Sequence, residues 1–159
     1  QPPVNSLWLW GGGALVRPQS THFTSVWGEH PLAIGLARAS GTPAHPLPAA
    51  GLAGFAGLAQ LASPGSAPLV VLDSLLPPVL YEDGEAWRNA WRALEAEWFA
   101  PLRQQLGRVV SALDIAAPTR YGDLQWSLRS GDRWKFWRPE HTLAALISQF
   151  SGQFSESSP

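Results

Sequence analysis

A chain of 159 residues that is 45% hydrophobic and only 14% charged can bury the core of one folded domain, and it lacks the composition of a disordered segment. A formal net charge of −1 supplies no global field for nucleic acid or an anionic membrane, and the absence of cysteine excludes disulfides and thiolate metal sites. No stretch reaches the roughly 18 apolar residues of a membrane helix, and the N-terminus lacks a basic leader region, so the expected location is cytoplasmic with no membrane partner.

Methionine is absent, which predicts that Gln1 is not a native start and that the chain is part of a longer or processed protein. Residues 1–150 are expected to form a single α/β domain, the C-terminal part of a longer protein, followed by a Ser-rich frayed tail over 151–159. Ser6 to Trp10 is short and bulky, with leucines on one face and tryptophans on the other, as in a strand covered on both sides. It runs into Gly11-Gly12-Gly13, which ends it. Ala14 to Ser20 has no period and reads as a loop, and Phe23 to Trp27 reads as a second strand.

Pro31 opens a predicted helix that Gly41 closes. Thr42 to Pro48 is proline-rich and reads as a rigid connection, and Ala49 to Ala62 reads as a short glycine-weakened helix. Leu69 to Leu72 is a continuous apolar run, the mark of a buried strand, with Asp73 and Ser74 at its end. Pro77-Pro78 is expected to forbid regular structure just beyond.

Asp83 is a good N-cap for a helix whose Trp87, Trp91, Leu94, Trp98, Leu102 and Leu106 recur at helical spacing. Arg103 and Arg108 complement the dipole at its end, and Pro101 should kink or divide it after Ala100. Val109 to Leu113 reads as the next strand, stopped by Asp114. Tyr121 to Arg138 reads as a hairpin closed by Ser130-Gly131-Asp132, with Trp126 facing Phe136, Leu128 facing Trp134, and Ser127, Arg129, Arg133 and Lys135 on the opposite side. Pro139 to Phe150 reads as a final helix. The implied fold is mixed α/β: a mostly parallel sheet, helices on both faces, and an antiparallel hairpin at one side.

Were Ser6–Trp10, Leu69–Leu72 and Val109–Leu113 parallel, their carboxyl ends would gather Gly11, Gly12, Gly13, Asp73, Ser74 and Asp114 on the rim where open α/β sheets bind ligands. The competing reading is that these residues only end strands and make turns. The glycine run is no phosphate loop, because Pro18 follows instead of a helix N-terminus. Glu29 and His30, between a strand and a helix, join Asp73 and Asp114 as a candidate metal set for manganese or magnesium. Arg129, Arg133 and Lys135 form a candidate anion patch, although a solvated sheet face reads the same way and nucleic acid is not an expected partner. Trp137 points outward in the expected register and is a candidate contact for a protein partner or an upstream domain.

The run Pro3 to Gly13, the Leu72-Asp73 region, the Trp-rich helix and Trp134-Lys135-Phe136-Trp137 resemble the C-terminal half of a proteobacterial family labelled regulatory protein RpfE or cofactor-independent phosphoglycerate mutase. That resemblance implies a non-catalytic domain, regulatory in role, that binds a small anionic ligand or a protein. The mutase label would instead imply a metal-dependent phosphoryl-transfer enzyme. Such enzymes cluster aspartates and histidines around two metals, and this chain has no Asp-His-Gly, so no catalytic residue transfers and the main catalytic residues would lie upstream.

Overall fold

A computed structural model describes residues 21–54, 65–119 and 122–134. The expected Ser6–Trp10 strand, Gly11, Gly12, Gly13, most of the Ala49–Ala62 helix, Lys135, Trp137, the Pro139–Phe150 helix and the tail lie outside those residues. The fold is mixed α/β, a three-stranded parallel sheet with helices and a separate antiparallel hairpin.

The sheet orders its strands β2-β1-β3, where β1 is Ser25–Trp27, β2 is Ala44–His45 and β3 is Pro68–Val70. Helix α1 (Pro31–Ser40) joins β1 to its parallel neighbour β2, the crossover that a parallel pair requires. Its ends are those expected: proline in the first turn, and Gly41 in the left-handed region at φ 75°. The Thr42–Pro48 connection, expected to be rigid, also carries the short strand β2. Val26 N–H donates to the Pro43 carbonyl and Gly28 N–H to the His45 carbonyl, so the segment pairs as an edge strand. Pro43 and Pro46 flank that strand, where a missing N–H costs the ladder little. The apolar run expected at Leu69–Leu72 pairs over Pro68–Val70, and Val71 N–H still reaches the Trp27 carbonyl.

Strand alternation divides the sheet into two faces. Val26, aligned with Leu69 and Ala44, is buried on one. Trp27, aligned with Val70 and His45, lies on the other, where Trp27 and Val70 pack against a core of Leu52, Leu94 and Trp98. Leu52 comes from a 3₁₀ turn, Gly51–Gly54, the described part of the expected Ala49–Ala62 helix.

Two prolines that were expected to exclude regular structure instead begin a helix. In α2 (Leu76–Leu80), Pro77 and Pro78 fall in the first turn, where backbone N–H groups have no intrahelical partner to lose. Helix α3 (Gly84–Leu94) starts at Asp83, whose carboxylate accepts from the N–H groups of Glu85 and Ala86 at 3.1 and 2.9 Å. The helical path continues through a π turn, Glu95–Phe99, into α4 (Ala100–Gln105). Ala100 N–H donates to the Glu95 carbonyl, five residues back. The wide turn ends two residues before Pro101, which has no N–H and whose ring crowds the carbonyl four residues earlier in a regular helix.

The expected strand Val109–Leu113 is not part of the parallel sheet. Val109 and Val110 are used in a turn after α4, and β4 runs over Ala112–Thr119 with Asp114 inside it. Its partner is β5 (Gly122–Arg129), antiparallel, with Leu113 opposite Leu128 and Ile115 opposite Trp126. The hairpin expected over Tyr121–Arg138 is therefore displaced toward the N-terminus. Ser130–Trp134 is a 3₁₀ turn, so Leu128 does not face Trp134. The alternation itself holds: Leu113, Ile115 and Ala117 are half-buried between exposed Ala112, Asp114 and Ala116.

Candidate functional site

Because β1, β2 and β3 are parallel, their carboxyl ends share one rim. Glu29 and His30 follow β1, Leu47 and Pro48 follow β2 closely, and Asp73 and Ser74 follow β3. The chain moves from β1 to β2 on one side and then to β3 on the other, so the direction of winding reverses here, the usual place for a crevice in an open α/β sheet.

A cleft of about 200 Å³ opens at this rim. Asp73 and Ser74 line it from the sheet side with Leu47 and Leu72, while Glu97 and Trp98 of the π turn close it from above. Asp73 is half-buried, and its backbone carbonyl accepts the Leu76 N–H at 2.9 Å, which starts α2. The walls are mainly apolar, with two carboxylates and one hydroxyl among the described lining residues.

Asp114 does not reach this rim by ending a parallel strand. It sits in β4, where its carboxylate accepts from the Ser127 hydroxyl and from Arg129 at 3.1 Å. The Ser127 hydroxyl bond, aided by the Arg129 guanidinium, holds the Asp114 carboxyl below the usual carboxylate range. The same pairing corrects the anion patch. Arg129 does lie beside Ser127 on one side of the hairpin as expected, but its guanidinium is engaged by Asp114. Only the backbone of Arg133 falls among the described residues, and Lys135 falls outside them.

His30 is the N-cap of α1, and its side chain makes no capping bond. Glu29 precedes it directly. Among the described residues no group of three or more histidine, aspartate or glutamate side chains stands close enough to hold a metal ion, so Glu29, His30, Asp73 and Asp114 are not gathered into one centre. No helix among the described residues is long and apolar enough to cross a membrane.

Two features escaped the sequence. Glu97 and Trp98 lie well beyond Asp73 in the chain and reach the cleft only because the π turn packs over Leu52. The apolar surface of α2 follows Pro77-Pro78, a pair that breaks a helix interior but suits a first turn, and the signal for it is that pair ahead of Val79 and Leu80. Comparison with family models, curated proteins and solved structures finds no match.

Proposed function

We infer that the chain is a non-catalytic α/β binding domain, of the kind the RpfE-like resemblance implies, and that it docks another protein through the surface of α2. One observation carries this reading. Val79, Leu80 and Tyr81 are 57%, 70% and 83% exposed, and Leu76 and Trp91 add to the exposed apolar side chains of α2 and α3. Covering a large apolar side chain stabilises by about 1.5–3 kcal/mol, so a run of them left in water favours a partner. The Asp73–Ser74 cleft beside α2 serves in this reading as the rigid edge from which α2 projects.

The test is affinity capture from bacterial cells producing the full protein, with the wild type and with a Leu80→Asp, Tyr81→Ser double variant. Both positions are exposed, so the variant is expected to fold with an unchanged Tm. A protein recovered in stoichiometric amount with the wild type and lost with the variant supports the docking role. An identical set of bound proteins for both forms overturns it.

A further inference from the structure

We propose that the cleft along α4 and the turn that follows it binds a small organic dicarboxylate. An open cavity of about 460 Å³ is bordered, among the described residues, by Ala100, Arg103, Gln104 and Arg108. That volume suits a small molecule rather than a single ion. Its described lining carries two guanidinium groups and one amide, and no carboxylate.

The second arginine is put there by a built turn. Gly107 takes φ 82°, a left-handed conformation that reverses the chain just after the helix. The Gln105 carbonyl then accepts N–H groups from Arg108, Val109 and Val110 at 3.0, 3.1 and 3.1 Å, and Gly107 N–H closes the loop on the Val110 carbonyl at 2.8 Å. Arg108 thus returns beside the last turn of α4 on a backbone held by four hydrogen bonds. Arg103 donates through Nη2 to Glu95 at 2.7 Å, which leaves its other N–H groups for a ligand.

Two guanidiniums bordering one cavity repel each other, and one exposed carboxylate offsets only part of that charge. Each guanidinium is a planar fork that matches one planar carboxylate through paired, charge-assisted hydrogen bonds. Two forks on separate elements, with the Gln104 amide between them in sequence, fit two carboxylates on one short carbon chain better than one compact tetrahedral anion.

Titration of the isotope-labelled protein with succinate, citrate and inorganic phosphate at fixed ionic strength, following the amides of Arg108 and Val109, tests the assignment. Saturable shifts with succinate or citrate are expected, weakened about tenfold in Arg108→Gln and in Arg103→Gln. Glu95→Gln, which frees Arg103, is expected to tighten binding; a role limited to neutralising the helix end predicts no such gain. Absence of saturable shifts, unchanged affinity in Arg108→Gln, or binding of phosphate but of neither carboxylate overturns the proposal.

Discussion

A methyl group added at Gly51 would lie 2.8 Å from both the Cβ and the carbonyl oxygen of Glu97. The 3₁₀ turn that carries Leu52 thus touches the π turn that carries Trp98, backbone against backbone. Gly51 also has φ 58°, so a side chain there is strained even before it meets its neighbour. We expect Gly51→Ala to destabilise the domain by about 3 kcal/mol, through overpacking and left-handed strain together. Gly35→Ala is the matched control. It lies inside α1 with nothing within 4 Å of the added methyl, and it should stabilise by roughly 0.5–1 kcal/mol. Urea unfolding midpoints for the two variants check both signs.

The helix that brings Trp98 over the sheet depends on its first residue. Asp83 accepts two backbone N–H groups that would otherwise be unpaired, while its own carbonyl takes the Trp87 N–H at 3.0 Å. Asp83→Ala is expected to cost about 1 kcal/mol, and Asp83→Asn close to nothing, since asparagine caps as well. Chemical denaturation followed by circular dichroism distinguishes the two. Equal loss in both variants would assign the effect to charge near the helix dipole rather than to the cap.

Local punctuation made much of this fold legible. Pro31 and Gly41 bound α1, and Asp83 starts α3, because a fixed φ, a left-handed cap and a side-chain acceptor act within a few residues of themselves. Strand pairing is different. Val109-Val110 looks like a strand by composition, but Gly107 turns the chain and the Gln105 carbonyl claims both N–H groups. Ser130-Gly131-Asp132 resembles a hairpin loop more than the residues before Gly122 do, yet β5 pairs backward with β4 because Leu113 and Ile115 offer apolar partners for Leu128 and Trp126. At the cleft, Asp73 and Ser74 are readable as residues ending an apolar run. Glu97 and Trp98 are not, because tertiary packing alone sets them opposite.

The Asp114 pairing makes a pH prediction. Hydrogen bonds from Ser127 and then Arg129 favour the ionised carboxylate and lower its pKa from 3.8. A carboxyl whose pKa is lower folded than unfolded contributes stability above its unfolded pKa. That contribution is lost as pH falls through the folded value. The pair is exposed, so the effect on overall stability is expected to be small. An NMR titration of the Asp114 side-chain carbon should place its midpoint below 3.8 and return it upward more in Ser127→Ala than in Arg129→Gln. A midpoint that ignores both substitutions would show that Ser127 and Arg129 do not hold the Asp114 carboxylate in solution.

Two tryptophans of the same helical stripe should behave in opposite ways. Trp98 is 5% exposed and belongs to the core with Leu52 and Leu94, whereas Trp91 is 44% exposed and stacks on Trp87 with ring centroids 5.6 Å apart. Their shared spacing along the sequence made both look like core. Burial divides them: Trp98 packs in the cluster with Leu52, against which Trp27 and Val70 of the sheet also lie, whereas Trp91 stands on an exposed side of α3. Trp98→Ala removes a large side chain from a packed site and should cost about 3–5 kcal/mol, enough to unfold a marginal domain. The milder Trp98→Phe leaves a smaller void and should cost less, which keeps the comparison measurable if the alanine variant does not fold. Trp91→Ala should change stability by no more than about 1 kcal/mol, the value of one aromatic pair. The docking role proposed for the adjoining α2 surface adds a second expectation, that Trp91→Ala weakens partner capture while lowering Tm by no more than a few degrees. Equal destabilisation by the two alanine substitutions would place Trp91 in the core and remove it from that surface.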